Sequence, residues 1–441
     1  MTVGTWIAGA QGGRQVAGEA GSLWFDEGGG RSVRLMAGVG RRPQASIRSL
    51  GLSVYLPTLL FAIGQGAVIP IVVLAAKDLG ATAAVAGLIA AMRGIGVLSF
   101  DVPAGWLVGR FGEKRAMVAG TLIVAASLAG SALSPSPLVF GVFTLVMGWG
   151  WSVWLLARLT YVTDVMPIHQ RGRALSALGG INRVGHFIGP LLFAVTEPWL
   201  DLDGAYYIHF ATVLAATVLL WVLIRDGELG EVQHQSINLF GVVKEHRAVF
   251  LTAGVGTMAI QTLRASRQIL LPLWADSVGL GAAEVGLIFS ISLGMEMVLF
   301  MPAGAVMDRF GRKKVAIPCL ALMAVGMAIL PLTGAFWSIS AVGLVMGLGN
   351  GLGSGINMTL GADFSPEVGR AQFLGAWRLC GDLGTAGGPL LLAGMTAALT
   401  LGGAAIVMGG IGAAGAVMIL LRVPETLKRG EGGARAPGAG G

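Results

Sequence analysis

Several ionisable side chains lie inside stretches of this sequence that are otherwise strongly apolar. Among them are two acids and six arginines: Glu296, Asp382, Arg93, Arg158, Arg183, Arg264, Arg267 and Arg378. A charge at the centre of a membrane costs about 2.5–3.5 kcal/mol on the insertion scale, so such residues usually face a polar cavity and take part in function. The chemistry open to them is ion pairing, binding of an anion by a guanidinium, and reversible protonation of a carboxylate.

Arg264 and Arg267 are three residues apart, so on a helix they share a face, which Gln261 extends by another turn. One interpretation is a cavity wall that binds a carboxylate, sulfonate or phosphate, because each guanidinium offers a planar fork of donors. The alternative is that both side chains reach the outer membrane surface and pair with Asp276. Arginines outnumber acids in the apolar stretches, which favours an anionic or amphipathic acidic solute over a cation.

Other polar side chains in these stretches are further candidates for a binding site. They are Gln65, His186, Asn350 and Asn357. Cys319 and Cys380 show no metal or redox spacing, so we expect them to pack as small apolar side chains. The sequence contains no nucleotide-phosphate loop, nucleophile elbow or metal-ligand cluster. We therefore expect no metal, no cofactor and no enzymatic activity.

The composition predicts a protein that crosses the membrane many times. Of 441 residues, 54% are hydrophobic and only 12% are charged, against about 25% charged in an average soluble protein. Three long runs, 116–157, 315–362 and 383–421, contain no Asp, Glu, Lys or Arg. A spanning helix needs about 20 apolar residues, so the first two runs are each long enough for two spans. The net charge of +7 lies mostly in short connections, so nucleic acid is not an expected partner.

Turn residues and charges divide the apolar sequence into twelve predicted helices. Their ranges are near 53–76, 82–108, 115–133, 137–163, 172–196, 205–224, 248–274, 282–307, 315–333, 336–363, 371–394 and 400–421. Lipid offers the backbone no hydrogen-bond partner, so apolar runs of this length must be helical. Lys and Arg are concentrated in the connections after the second, fourth and eighth helices. The positive-inside rule therefore predicts cytoplasmic termini in the plasma membrane.

The segments outside the helices have a different composition. Residues 1–50 are Gly-rich, carry several arginines and lack the apolar core of a signal peptide, so we expect a disordered cytoplasmic tail or an artefactual extension. The polar segment 225–247 is predicted to be a cytoplasmic linker, and 422–441 a second disordered tail. Two six-helix bundles, 51–224 and 248–421, remain between these segments.

An internal repeat relates the two predicted bundles. The stretch 101–115 matches 300–314 at an offset of 199 residues, and the same offset carries Asp164 onto Asp363. It also carries Gly185, Gly189 and Pro190 onto Gly384, Gly388 and Pro389. Three separate landmarks that share one offset without gaps predict that the chain is two similar halves.

Over about residues 50–422 the sequence resembles the major facilitator superfamily, through the motif at the centre of this repeat. The second copy, with Gly304, Asp308, Arg309, Gly311, Arg312 and Lys313, fits the family pattern fully. The first copy keeps Gly105, Arg110 and Gly112 but has Gly109 and Glu113 where the family has an acid and a base. The resemblance implies a twelve-helix fold and a cytoplasmic gate that includes Asp164 and Asp363. Asp101 or Asp164 is expected to replace the missing carboxylate. The alternative is that these loops only anchor orientation and turn tightly.

The Gly185, Gly189 and Pro190 element is similar to part of the fifth-helix signature of drug–proton antiporters in that superfamily. The match is partial, because Phe193 and Ala194 stand where the signature has two glycines. The resemblance favours efflux, while helix packing by small residues is an equally good explanation of the same residues.

The superfamily architecture also implies which charged residues meet. Its halves contact each other along the second and eleventh helices and along the fifth and eighth, so Arg93 is expected to face Asp382, and Arg183 to face Glu296. One interpretation is two static ion pairs between the halves. The other is that Glu296 or Asp382 gains and loses a proton during a transport cycle.

Together these features predict an all-α membrane protein that works as a monomeric secondary transporter by alternating access. The expected activity is proton-coupled efflux of a small anionic or amphipathic organic solute. The first alternative is proton-coupled uptake of an organic acid or a similar nutrient. An alternative of another class is a non-transporting membrane sensor or lipid scramblase on the same scaffold.

Overall fold

The structure is a computed structural model that describes residues 13–18, 21–26, 50–224, 239–366 and 369–427. A π-helical turn, Gly51–Tyr55, leads into the first helix. The helices of the first half are α1 (Leu56–Val68), α2 (Val72–Asp78), α3 (Ala83–Phe111), α4 (Glu113–Ala132), α5 (Pro137–Val165), α6 (Ile168–Leu200) and α7 (Asp203–Leu223).

The second half begins with two short helices that precede another π-helical turn, Phe250–Gly254. Its helices are α8 (Leu239–Glu245), α9 (Arg247–Val249), α10 (Val255–Ser277), α11 (Ala282–Phe310), α12 (Lys313–Ile329), α13 (Phe336–Leu352), α14 (Ile356–Phe364), α15 (Arg370–Ala398) and α16 (Leu401–Arg422). A 3₁₀ turn, Leu330–Leu332, extends α12. Helix α8 lies inside the predicted linker, whose residues 225–238 are outside the described part of the chain.

Two of the predicted spans are interrupted. The span predicted over 53–76 is divided into α1 and α2, and Pro70, which lacks a backbone N–H, lies between them. The span predicted over 336–363 is divided into α13 and α14 at Gly353–Gly355. There Gly355 adopts φ +80°, a left-handed conformation that a residue with a side chain rarely accepts. Both interruptions leave backbone groups that need new partners.

A β-hairpin occupies part of the tail that the sequence analysis expected to be disordered. Strands β1 (Gly13–Gly18) and β2 (Gly21–Asp26) pair in antiparallel fashion, with Gly13 opposite Asp26. The other residues of 1–49 lie outside the described part of the chain.

The packing of the helices repeats between the halves. In the first half α1 packs on α6 and α7, α3 on α5, and α4 on α5 and α7. In the second half α10 packs on α15 and α16, α11 on α13, and α12 on α13 and α16. The main contacts between the halves are α3 with α15 and α6 with α11, which are the second–eleventh and fifth–eighth helix contacts that the resemblance implied.

Ten helical stretches in the described residues are long and apolar enough to cross a bilayer. The other two of the twelve long helices, α10 and α15, have the necessary length but are not apolar enough over such a stretch to be counted with these ten. Apolar side chains such as Val102, Met301 and Leu332 are exposed on the outside, as expected for a surface that contacts lipid.

Candidate functional site

A cavity of about 60 Å³ lies between the two halves. Its walls come from the first half through α1–α5 and α7, and from the second half through α10 and α15. The lining is mainly apolar, and its polar members are Gln65, Arg93, Thr144, His209, Gln268 and Thr385. The rings of Phe61 and Trp151, with centroids 5.3 Å apart, add an aromatic wall. A mostly apolar cavity with a few polar groups is the usual form of a small-molecule site.

Arg93 lines this cavity from the middle of α3. Its Nη2 donates a hydrogen bond to Oε1 of Gln268 on α10, at 3.3 Å, so this bond joins the halves. The predicted contact with Asp382 is wrong, because Asp382 pairs with Arg378 at 3.4 Å. The sequence indicated which helices are in contact. It did not indicate which residues of the two helices lie at the same height along the helix axes. Within the described residues, Arg93 has no carboxylate at ion-pair distance, and Gln268 is its only recorded hydrogen-bond partner.

Glu296 on α11 is the centre of a cluster at the α6–α11 interface. The expected contact with Arg183 is present, at 3.7 Å between Nε and Oε1. Arg267 approaches Oε2 at 3.2 Å, and the amide of Asn350 donates to the same oxygen. The side chains of Glu296 and Arg267 are only 13% and 3% exposed. Two guanidiniums around one carboxylate give this cluster a net charge of +1.

Arg264 points to the interruption between α13 and α14. Its Nη2 donates to the carbonyl oxygen of Gly353 at 2.7 Å, and its Nη1 donates to Oε1 of Gln261 at 3.0 Å. The Gly353 carbonyl also accepts a backbone bond from Ile356 N–H at 3.3 Å, so the guanidinium supplies a second, shorter bond to a carbonyl within the interruption. The predicted alternative, in which Arg264 and Arg267 pair with Asp276, is wrong because Asp276 pairs with Lys77.

Asp101, Arg378 and Asp382 form a second charged group, at the α3–α15 interface, which we call the Asp–Arg–Asp triad. Arg378 Nη2 is 3.8 Å from Asp101 Oδ2, and Arg378 Nε is 3.4 Å from Asp382 Oδ2. Ser152 Oγ on α5 donates to Asp101 Oδ1 at 2.5 Å. Asp101 therefore binds Arg378 and does not supply the carboxylate that Gly109 lacks. This interface has an ion pair between the halves, with the acid on α3 instead of the predicted arginine.

The remaining polar candidates have separate surroundings. Gln65 Oε1 is 2.9 Å from Nε2 of His186, and Gln65 also lines the cavity. Both ring nitrogens of the buried His209 have no hydrogen-bond partner within the described residues. Asn357 accepts hydrogen bonds from Trp377 Nε1 at its carbonyl oxygen, at 3.0 Å, and at Oδ1, at 2.8 Å. Asn357 thus fixes an aromatic ring rather than lining the cavity.

The complete loop motif of the second half binds the end of α14 and the chain after α16. Arg312 Nε donates to Asp363 Oδ2 at 2.8 Å, and Arg312 Nη1 lies 3.8 Å from Asp308 Oδ1. Glu425 accepts backbone N–H bonds from Arg312 at 2.8 Å and Lys313 at 3.0 Å. Glu425 falls in the predicted disordered tail 422–441, so the expected disorder does not include this residue. Arg309 extends over the ring of Phe310, 5.3 Å from its centroid.

The incomplete motif of the first half keeps the turn geometry of the complete one. Gly112 has φ +80° where α3 ends and Gly311 has φ +107° where α11 ends, so the equivalent glycines make equivalent turns. The side chain of Arg110 is exposed. Asp164 is not free, because it interacts with another group. Gly105 and Gly304 have open space around them, with no atom nearer than 3.8 Å to an added Cβ.

The repeated glycines of the predicted packing motif lie at close helix crossings. A Cβ added to Gly189 would be 2.2 Å from the carbonyl oxygen of Ile63 on α1, and one added to Gly388 would be 2.5 Å from that of Thr262 on α10. Gly185 and Gly384 make similarly close contacts with α1 and α10. Pro190 and Pro389 follow inside α6 and α15, and Pro389 lines the cavity.

Sequence reasoning missed Gln268 and His209, which the structure places in the cavity. Each is a polar residue inside an apolar helix, and that signal was also the one that indicated Gln65. The triad was missed as a unit because its members come from two helices whose relative height the sequence does not fix.

Comparison with known proteins gives consistent matches. The family model described as Major Facilitator Superfamily matches residues 54–269 and 254–440. The protein named Multidrug resistance protein MdtH of Klebsiella pneumoniae is 25% identical over 364 residues, which are 77% of this chain and 86% of that one. The MdtH protein of Yersinia pestis is 26% identical over 369 residues, which are also 77% of this chain and 86% of that one.

Solved structures share the fold. The crystal structure of a D-xylose–proton symporter has a TM-score of 0.69 and 19% identity, and the match covers 87% of this chain and 99% of that one. The nucleoside transporter NupG has a TM-score of 0.72 and 13% identity, with 85% and 100% covered. These matches confirm the predicted architecture of two repeated six-helix halves.

Proposed function

The chain belongs to the major facilitator superfamily and is a secondary transporter, and from this premise we propose that it exports a small anionic or amphipathic organic solute in exchange for protons. The family and the fold are those of a transporter rather than of an enzyme. The proposal includes a monomer in the plasma membrane with both termini in the cytoplasm, which the basic connections between helices support.

The observation that carries the proposed solute class is Arg93. It places a guanidinium, with five potential donors, in a cavity between the halves where no acid of the described residues pairs with it. A buried cation without a counter-charge is costly, and an anionic ligand group would supply that charge. Phe61 and Trp151 offer an apolar aromatic surface for the rest of the solute.

The preferred direction, export, rests on similarity. The relatives named MdtH are described as multidrug resistance proteins, and they align with most of this chain. Movement by alternating access is supported by the position of the cavity, because its walls belong to both halves and a rocking motion would change its access.

The test uses three ligands of similar size that differ in charge: benzenesulfonate, neutral benzenesulfonamide and cationic phenyltrimethylammonium. We expect benzenesulfonate alone to raise the melting temperature of the purified protein and to show counterflow in proteoliposomes. Arg93→Gln should weaken benzenesulfonate binding about tenfold to a hundredfold, the value of a charge-assisted hydrogen bond of roughly 1.5–3 kcal/mol.

Arg422→Gln, at the exposed end of α16 and outside the cavity lining, is the matched control and should bind like the unsubstituted protein. Stronger binding of phenyltrimethylammonium than of benzenesulfonate would contradict the anionic solute class. Equal binding of benzenesulfonate by the Arg93→Gln variant would contradict the assignment of the site.

A further inference from the structure

We propose that the Asp–Arg–Asp triad of Asp101, Arg378 and Asp382 is the proton-binding site of the transport cycle, and that Glu296 remains ionised throughout. The inference rests on the proposed proton-coupled transport and names the residues that couple it. The sequence alone did not indicate which of two acids, Glu296 or Asp382, binds the proton. The proposal assigns the proton to the group that contains Asp382.

Charge balance distinguishes the two interfaces between the halves. At the α3–α15 interface, two carboxylates flank one guanidinium, so the triad carries a net charge of −1. At the α6–α11 interface, two guanidiniums flank one carboxylate, so the cluster carries +1. A proton is a cation, so it is attracted to the first interface and repelled from the second. Two carboxylates that share a site bind one proton between them, as a pair.

The triad is also less enclosed than Glu296. The side chains of Asp101, Arg378 and Asp382 are 27%, 45% and 29% exposed, whereas that of Glu296 is 13% exposed. Glu296 is enclosed by Arg183, Arg267 and Asn350. Its Oε2 accepts hydrogen bonds from Arg267 and Asn350, and the Arg183 guanidinium lies at ion-pair distance from its Oε1. A proton at Glu296 would leave buried guanidiniums without a counter-charge, which is strongly unfavourable.

No other charged group of the described residues is at ion-pair distance from the triad. Ser152 of α5, which donates to Asp101, is neutral. Several charged side chains on the helices that pack against α3 and α15 bind partners outside the triad. They are Lys77, Arg158, Arg264, Arg267, Asp276 and Asp363. The balance of two acids and one base is therefore not altered by neighbouring charges.

Protonation changes the contact between the halves. The proton forms an O–H bond with one carboxylate oxygen, and no other covalent bond forms or breaks. When Asp101 holds the proton, the ion pair between α3 and α15 is lost. When the proton leaves, Arg378 again joins the two halves. Proton binding and release would thus weaken and restore one of the two main interfaces between the halves.

The first test needs no ligand. Infrared titration of the protein in lipid vesicles follows the C=O band of protonated carboxyl groups over the pH range in which the protein stays folded. We expect a band that grows as the pH falls and that is resolved, by its higher frequency, from the bands of fully exposed carboxyl groups. This band should be lost in both Asp101→Asn and Asp382→Asn because the two carboxylates share one proton. Asp382→Glu should keep the band at a shifted frequency. Asp276→Asn, which removes the acid of a different ion pair between the halves, should keep it unchanged.

The second test measures transport of benzenesulfonate in proteoliposomes. Export driven by an imposed pH gradient should fall by a factor of about ten or more in the two Asn variants, whereas counterflow at equal pH should persist. Asp276→Asn should remain driven by the gradient. Each variant must first elute as a single monodisperse species in size-exclusion chromatography. Because Asp101→Asn and Asp382→Asn change different helices, agreement between them tests the triad twice.

Survival of this higher-frequency band in both Asn variants, or its absence from the unsubstituted protein, would overturn the proposal. Loss of the band in Glu296→Gln would instead assign the proton to Glu296. If the unsubstituted protein does not move benzenesulfonate, the proposed solute is wrong, and the infrared result still decides the proton site.

Discussion

Lys77 and Asp276 occupy equivalent positions in the two halves and form an ion pair with each other. They are 199 residues apart, which is the offset of the internal repeat. Lys77 lies in the last turn of α2 and Asp276 near the end of α10, and both side chains are partly exposed. The pair therefore joins the ends of the two halves that lie opposite the loop motifs.

We expect Asp276→Asn to shift the protein towards a state in which these ends are apart. Because an exposed ion pair contributes about 0.2–1 kcal/mol, the population should change at most about fivefold. Distances between spin labels at the exposed positions Asp78 and Ser277, themselves equivalent in the repeat, report the change. The charge-swapped double variant Lys77→Asp with Asp276→Lys should restore the original distances. An unchanged distance distribution in Asp276→Asn would show that the pair does not hold the ends together.

Adjacent glycines on α15 should respond differently to the same substitution. A Cβ at Gly388 would lie 2.5 Å from the carbonyl oxygen of Thr262, whereas a Cβ at Gly387 has no atom within 4 Å. Gly388→Ala should therefore destabilise the protein by roughly 1–3 kcal/mol through overpacking, and Gly387→Ala should be nearly neutral. Thermal unfolding of the two purified variants in detergent measures the difference. Equal melting temperatures of the two variants would mean that α10 and α15 are farther apart at Gly388 than the structure shows.

Arg264 should stabilise the interruption between α13 and α14. Its replacement by Met leaves the carbonyl of Gly353 with only the longer bond from Ile356 N–H, which should cost about 1 kcal/mol. Arg264→Lys retains a donor at the end of the side chain and should lose less. Chemical denaturation of both variants gives the comparison. If the Met variant is as stable as the Lys variant, water replaces the guanidinium and the bond contributes little.

Glu425 should make the end of the second half sensitive to acid. Burial alone would raise the pKa of this carboxyl, but the backbone N–H groups of Arg312, Leu427 and Lys313 outweigh that effect and lower the pKa below its usual value of 4.5. Its contribution to stability is therefore present above the pKa of the unfolded chain and is lost as the pH falls through the lower, folded pKa.

The measurement for Glu425 is the difference in melting temperature between the unsubstituted protein and Glu425→Gln as a function of pH. The difference should be small at neutral pH, equivalent to at most about 0.5 kcal/mol because solvent screens this largely exposed side chain, and it should vanish in acid. A difference that grows as the pH falls would contradict the sign of the pKa shift.

The helices and their duplication were predictable from sequence for a simple reason. Long apolar runs in lipid have no alternative to the helix, and an offset of 199 residues is visible without any structure. The resemblance to a known family then indicated which helices join the halves. Contacts such as Arg183 with Glu296 follow from these two facts.

Relative height along neighbouring helices was not predictable. Arg378 and Asp382 are one helical turn apart, and a shift of that size decides whether Arg93 meets an acid or Gln268. The interruptions at Pro70 and Gly355 add to this difficulty, since each breaks the regular helical spacing of the span. The predicted contact between Arg93 and Asp382 therefore failed because it depended on the relative height of two helices.

The Lys77–Asp276 contact shows what exact duplication cannot provide. A residue beside an approximate two-fold axis meets its own counterpart, so two identical copies would bring lysine against lysine or aspartate against aspartate. A homodimer of either half would thus repel itself at this point. Attraction there requires that the copies differ, and joining them in one polypeptide allows each copy to carry the opposite sign.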